Sequence, residues 1–450
     1  VKIKHQPLSL ALATCLALNC YAADDDLLGR DDLFGDDLKS TASSQPASGS
    51  GIKGFLQFEG ARTTSNPEHW SKLRTRADLN SQGKLSDSLK WKLGARVDYD
   101  FVYGINDFYN SAVEQNQRFD IALRENYLDY STGNWDFRFG RQHVVWGEMV
   151  GLFFADVVSA RDQREFILPE FDQMRIPQWA VRAEYFTGDT HAELLWIPVA
   201  SYDNIGRPGA EYYPYQPVPP GANVKYLPEQ RPDSTANNMN YGLRLSTLKN
   251  GWDVSGFYYR SSDINPSFYR EIVPGAQPTF IYQARHDRIH QYGGTMAKDF
   301  GDVVLKAEAV YTRDRQFTVL NLTDADGLVR QNTLDWAVGL DFTLPADSRF
   351  NVQFFQRQHF DHNPDIIADR LENGYSLFAS TKLGNNWETQ ALFISSLNRS
   401  DWLFRPRVSW NIQRNWRLML GADIFSGPQL GMFGRYDQHD RVYSEVRYSF

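Results

Sequence analysis

The sequence predicts an all-β fold, a transmembrane up-and-down antiparallel β-barrel of about 18 strands, and three observations carry that expectation. Apolar and polar residues alternate with a period of two through most of residues 51–450. Tight turns and long polar connections follow one another in strict alternation. The chain ends Val442, Ser444, Val446, Tyr448, Phe450 against Arg441, Tyr443, Glu445, Arg447 and Ser449, an alternating strand that stops on an aromatic residue.

Composition narrows the alternatives before any motif is read. The 450 residues carry a formal net charge of −8, so bulk charge gives no support to a nucleic-acid partner. Mean hydropathy is −0.50 with 42% hydrophobic residues, too polar for a bundle of helices that each need about 20 apolar residues. Aromatic residues make up 14% and recur at short intervals, which excludes disorder for the main body. Alternating strands around a polar lumen dilute hydropathy to this level.

Residues 1–22 read as a secretory signal peptide. Lys2 and Lys4 precede an apolar stretch from Leu8 to Leu18, and Cys20-Tyr21-Ala22 leads to the acidic Asp24-Asp25-Asp26. Leu12-Ala13-Thr14-Cys15 loosely resembles a lipobox, the alternative reading. Cys15 and Cys20 both lie inside this segment, so cleavage after Ala22 leaves no thiol and no disulfide. Residues 23–50 form an acidic flexible periplasmic tail, repeating Asp-Asp-Leu units at 25–28, 31–34 and 36–38 before a Ser/Ala/Pro/Gly linker. Its plain reading is a solvated leader. Its sharper reading is a docking peptide, residues 24–39, whose Leu27, Leu28, Leu33 and Phe34 order on a periplasmic partner.

Residues 51–450 are the expected outer-membrane barrel. Leu89, Trp91, Leu93, Ala95, Val97, Tyr99 and Phe101 alternate with Lys90, Lys92, Gly94, Arg96, Asp98 and Asp100, and similar runs recur from Leu334 and from Trp402. Tight turns are expected at 132–134, 188–189, 249–251, 300–302, 345–347, 385–386 and 414–415. Long connections are expected near 102–118, 146–178, 199–238, 262–287, 315–332, 358–374 and 426–440. Outer-membrane barrels show this asymmetry, short on the periplasmic side and long outside. The strand count is open by two around 63–88 and 397–401. Trp135, Trp252, Trp387 and Trp416 each follow a tight turn, which places them at one depth, where an amphipathic ring prefers the membrane interface. The last strand, with Tyr448 and Phe450, resembles the signal that the barrel-assembly machinery reads.

The segment from Trp135 to Ala200 is the most informative. It contains Gly140-Arg141-Gln142, Trp146-Gly147-Glu148, Asp156-Val157, Arg175-Ile176-Pro177 and Trp196-Ile197-Pro198. On these blocks the chain resembles an uncharacterised proteobacterial family of porin-like outer-membrane proteins, and more distantly the alginate-export barrels. Ser159-Ala160 stand where the family pattern has Asn-Pro, and Gln178 stands where it has an apolar residue. The resemblance implies passage of a solute across the outer membrane of a Gram-negative bacterium and does not name the solute.

Physically, 146–178 is a long loop dense in opposed charges, which are costly if buried unpaired. The expected arrangement is a loop folded into the lumen as a constriction, with Arg141, Glu148, Asp156, Arg161, Asp162, Arg164 and Arg175 setting a transverse field that selects solutes. Salt bridges that merely pin the loop to the wall are the competing reading. Mixed lumen charges, among them Arg74, Arg96, Arg405 and Arg447 against Asp98, Glu193, Glu308 and Glu445, brace the wall, with a modest excess of arginine favouring anionic solutes. Tyr212, Tyr213 and Tyr215 in the 199–238 loop offer either aromatic platforms for a ligand or rigid surface structure.

No catalytic triad, phosphate loop or paired-carboxylate motif stands out, so no enzyme activity, cofactor or metal is expected. His359-Phe360-Asp361-His362 is the one cluster with a metal-site look, and on a loop it reads as a solvated pair. The expected function is a porin-like channel or substrate-specific transporter for a small solute or polymer, in contact with outer-membrane lipid. Two alternatives stand beside it: a surface binding protein anchored by its barrel, and the outer-membrane component of an export or lipid-transfer assembly.

Overall fold

A computed structural model describes residues 51–147, 149 and 154–450. The expected signal peptide, the acidic tail and Glu148 lie outside the described residues. Eighteen antiparallel strands form one closed sheet. In chain order they are β1 (Lys53–Thr63), β2 (Trp70–Lys84), β3 (Leu89–Asp100), β4 (Phe119–Thr132), β5 (Trp135–Gln142) and β6 (Gln178–Thr187). Next come β7 (Thr190–Val199), β8 (Asn240–Lys249), β9 (Trp252–Ser262), β10 (Arg288–Asp299), β11 (Val303–Thr318) and β12 (Leu328–Leu344). The last six are β13 (Ser348–Phe360), β14 (Leu371–Leu383), β15 (Trp387–Ser396), β16 (Trp402–Gln413), β17 (Trp416–Ser426) and β18 (Arg441–Ser449). Each strand pairs with its neighbours in sequence, and β18 closes the sheet on β1 from Phe55↔Ser449 to Thr63↔Arg441. Closure removes both sheet edges, the condition for a sheet to cross lipid.

The turns fall where expected. At Asn250-Gly251 both residues have positive φ (53° and 73°), the backbone a two-residue hairpin turn requires, and Asn and Gly tolerate it. The region around 63–88 resolves into an outer connection at 64–69 and a periplasmic turn at 85–88, and 397–401 is a short outer loop.

The period of two separates a lipid face from a lumen face. On β3, Leu93 and Val97 are exposed while Arg96, Asp98 and Asp100 are buried inside. Trp135, Trp252, Trp387 and Trp416 are 39%, 37%, 45% and 42% exposed on the outer face at the periplasmic ends of their strands. Neighbouring aromatics complete the belt: Trp387 stacks on Trp410 at 5.2 Å, and Trp416 lies 4.9 Å from Tyr448. Phe450 extends the last strand by exchanging backbone hydrogen bonds with Gly54, both 3.0 Å.

Outside, the loops pack on one another. A three-stranded sheet (Asn223–Gln230, Thr279–Arg285, Ser267–Val273) joins the loops between β7 and β8 and between β9 and β10. Tyr212 and Tyr213 are buried in these loop cores at 3% and 7% exposure, so they are structural, not open platforms; Tyr215 stays exposed.

Candidate functional site

The loop between β5 and β6 turns into the barrel at its first residues. Trp146 is buried against Phe257 and Tyr259, with ring centroids 5.1 and 5.7 Å away, and its Nε1 donates to the Glu193 carboxylate at 3.1 Å. Gly242 on β8 makes the space, since a Cβ there would stand 2.5 Å from Trp146 Cη2. Glu308 on β11 then takes hold of the loop, accepting from the Met149 and Ala155 amides at 2.6 and 3.0 Å.

From that wall the loop crosses to the opposite one. Glu165 meets Lys72 and Arg74 on β2, the latter at 2.7 Å, and Arg441 on β18 at 3.3 Å. Glu170 lies 3.3 Å from Arg407 and 3.4 Å from Arg447. Arg405 donates to the Leu168 carbonyl at 2.7 Å, Arg96 to the Gln173 carbonyl at 2.8 Å, and Arg124 to the Arg175 carbonyl at 2.8 Å. The attachments therefore fall on β2–β4 and on β16–β18. The loop returns through a short ladder, Ala160↔Ile176 and Arg161↔Arg175. At its exit Gln178, buried where the family pattern is apolar, clamps the Val158 and Ser201 carbonyls at 3.0 and 3.1 Å.

The charges expected to set the constriction divide into three groups. Asp156, Arg161, Asp162, Arg164 and Arg175 do sit in the inserted loop, and the carboxylates are matched: Asp156 with Arg175 at 3.2 Å, Asp162 with Arg164 at 2.6 Å, and Arg164 again with Asp120 on β4 at 2.6 Å. Arg141 is a correction. It stands opposite Trp179 and Asn126, and Trp179 is an exposed residue of the lipid face, so Arg141 leaves the wall on the outside. Alternation from Trp135 through Phe137 and Phe139 puts it there. Glu148 lies outside the described residues. The groups that carry the loop across the barrel are instead Glu165 and Glu170, with Lys72, Arg74, Arg407, Arg441 and Arg447 as their wall partners.

Because the loop leans on β2–β4 and β16–β18, space remains on the other side. A cavity of about 620 Å³ lies between the loop and the wall of β9–β15. Phe154, Val157, Phe166 and Ile167 line it from the loop, Ile289, Val310, Phe317, Phe355 and Ile394 from the wall, and Ile366, Ile367, Leu430, Met432 and Phe433 from the outer loops. Its charged residues are already engaged: Arg315 with Asp263 at 2.8 Å, Arg357 with Asp335, and Arg399 with Glu372 at 2.6 Å. Asp401 accepts the amides of Met432, Phe433 and Gly434 at 2.7–3.0 Å. Arg435, at the exposed mouth, donates to the Gly431 carbonyl at 2.9 Å. So large an apolar share, 16 of 34 lining residues, is unusual for a barrel interior, which is normally polar. Residue composition hides it, because nine of the fourteen apolar side chains named come from loops.

Among the described residues, one trio of carboxylates and histidine comes within reach of a shared ion, Glu184, His191 and Glu193, with ligand atoms within 4.8 Å of one another. His359 and His362 are 5.9 Å apart in an edge-on ring contact.

The family described as "Protein of unknown function (DUF1302)" matches residues 23–450. No curated protein matches the chain. Among solved structures, OccAB1 of Acinetobacter baumannii aligns with 89% of this chain and 95% of its own at 8% identity and a TM-score of 0.52. OccK8 (OprE) of Pseudomonas aeruginosa aligns with 89% and 97% at 10% identity and a TM-score of 0.50. At such identities the likeness is one of fold, that of the Gram-negative outer-membrane porins.

Proposed function

We propose that this chain, which belongs to the DUF1302 family, is an outer-membrane channel whose inserted loop is the constriction and whose passage is the off-centre cavity beside it. One observation carries the reading: every attachment of Glu165, Glu170 and the neighbouring carbonyls is to β2–β4 or β16–β18, while the cavity lies against β9–β15. On that side the loop is held at its root, by Glu308 on β11, and a loop placed only to brace the wall has no need to leave the space beyond it. The lumen arginines behind the likeness to alginate-export barrels are largely engaged in ion pairs here, so a polyanion would find few of them free along the wall.

The lining favours amphipathic solutes over sugars. Apolar area removed from water contributes about 25 cal/mol per Å², and Phe154, Phe317 and Phe355 present such area to anything in the cavity. Arg435 at the mouth supports an anionic group on that solute.

Single-channel recording of refolded protein tests the constriction. Steady openings that widen when residues 150–172 are removed are expected. A folded barrel that is silent in both forms would overturn the reading and favour a barrel that only anchors its loops.

A further inference from the structure

The outer face of the wall carries a group of side chains that the passage does not use. Directly opposite residues of four neighbouring strands form one row there: Tyr241 faces Arg260, Arg260 faces His290, and His290 faces Arg313. One step nearer the periplasm, Tyr258, Tyr292 and Tyr311 form a second row, with ring centroids 5.0 and 6.4 Å apart. Tyr292 is 48% exposed, while the alternate residues Tyr259, Gln291 and Thr312 are buried in the lumen, so both rows face lipid. Arg260 stands eight residues above Trp252 on the same face. That is about 26 Å of strand at ~3.3 Å per residue, which at a tilt of ~35–45° rises about 20 Å and brings Arg260 close to the outer edge of an apolar band ~25 Å tall. The cationic row therefore sits at the outer headgroup level, over an aromatic girdle.

Arg260 and Arg313 flank His290 on its two sides in this row, and little acid nearby offsets their charge. Arg260 donates to the Asn237 carbonyl at 3.2 Å. Arg288, two positions above His290 on the same face, donates to that carbonyl at 2.7 Å and to Asn240 Oδ1 at 3.3 Å. These acceptors are neutral: they hold the guanidinium groups in place and leave their charge. Arg313 does meet a carboxylate, Asp314 at 3.3 Å, and both stay largely open to solvent. The charges of Arg260, Arg288 and Arg313 all bear on His290.

We infer that Arg260, Arg288, His290 and Arg313 form a binding site for a phosphorylated glycolipid of the outer leaflet, with Tyr258, Tyr292 and Tyr311 against its sugar and the roots of its chains. Guanidinium groups match phosphate oxygens in a fork geometry. A phosphate monoester brings up to two negative charges to a row that has none of its own beyond Asp314. Tyrosine rings at headgroup depth suit an amphipathic sugar-to-chain junction. The site is on the outside of the wall and does not depend on what the lumen conducts.

Native mass spectrometry of the detergent-purified full chain tests the assignment, with bisphosphorylated lipid A, its dephosphorylated form and phosphatidylglycerol as probes. The wild type is expected to retain bisphosphorylated lipid A at least tenfold more strongly than R260Q/R288Q/R313Q. R313Q alone, on an exposed side chain that leaves the loop contacts intact, is expected to lose affinity a few-fold. Heat-shifted electrophoretic mobility shows that each variant is a folded barrel. Equal retention by the wild type and the triple variant would overturn the site. Equal retention of the dephosphorylated form, or of phosphatidylglycerol, would overturn the phosphorylated glycolipid as its ligand.

Discussion

Glu165 Oε2 in the inserted loop lies 3.3 Å from Arg441 Nη1 at the start of the last strand, across 276 positions of chain. Glu165 also neutralises Lys72 and Arg74 beside the seam where β18 closes on β1. One carboxylate thus ties the inserted loop to the closure of the barrel.

Replacing that carboxylate should change both selectivity and stability. E165Q leaves Lys72, Arg74 and Arg441 with Glu59 and Asp423 as their remaining acids. Removing one partner of a buried pair costs about 3–5 kcal/mol, because the other charge stays buried. The expected outcome is a reversal potential shifted toward anions in a salt gradient and a lower urea midpoint by electrophoretic mobility. E165D, which keeps the charge, should restore most of the selectivity.

A second carboxylate fastens the outer loops and makes them respond to pH. Glu211 accepts from His69 Nε2 at 2.6 Å and Tyr109 OH at 2.7 Å, and its other oxygen meets His439 Nδ1 at 2.7 Å. Burial opposes the Glu211 charge, but hydrogen bonds from His439, His69 and Tyr109 outweigh it and bring its pKa down to about 2. Burial likewise opposes the proton on His69, and the hydrogen bonds to Glu211 and to the Pro67 carbonyl outweigh it, so its pKa is raised. A depressed acid stabilises the fold above its unfolded value of about 4.3 and loses that contribution as pH falls toward 2. A raised histidine stabilises below its unfolded value of about 6.5 and loses that contribution as pH rises through its folded value. Hydrogen-exchange protection of the loop at 101–118, measured against the intrinsic rate at each pH, should therefore be greatest between roughly pH 5 and 6.5. H69N should remove the alkaline loss of protection and leave the acidic one.

The root of the inserted loop offers a purely steric test. Gly242 has no side chain where Trp146 lies, and a Cβ there would meet the indole at 2.5 Å. G242V should push Trp146 off its contact with Glu193 while β8 keeps its pairing, and the inserted loop should become mobile. Overpacking of this kind costs about 1–3 kcal/mol. The measurable result is larger, noisier conductance together with a red-shifted Trp emission, and unchanged conductance would show that the loop does not depend on this anchor.

How much of this was legible from residue order divides along the range of the contacts. The wall was legible: the alternation at 89–101 and the turn-linked tryptophans depend only on neighbours two apart, and the sheet keeps that register almost everywhere. The same alternation, continued from Trp135, places Arg141 on the outer face, but a charge invites a lumen reading and the register was overruled by chemistry. The loop's entry into the lumen could be inferred from its charge density. Its partners could not, because Glu165–Arg441 and Glu170–Arg447 depend on the path of the loop across the barrel. The apolar side of the cavity was hidden for a related reason, since Phe154, Ile366 and Met432 belong to segments that look like ordinary polar loops.

The cavity yields the prediction that would separate the proposed channel from a general porin. Phe317 and Phe355 on the wall and Arg435 at the mouth act on different parts of an amphipathic anion. An aromatic ring that loses partial contact forfeits about 1 kcal/mol of apolar burial, roughly a fivefold change in occupancy. F317N/F355N should therefore slow entry of phenylbutyrate into proteoliposomes several-fold with glucose entry unchanged. R435Q should slow phenylbutyrate and leave the neutral phenylbutanol alone, because it removes the charge and not the apolar wall. Parallel losses for glucose and phenylbutyrate in both variants would mean that the cavity controls only the width of the pore, and the amphipathic assignment would fall while the channel reading stood.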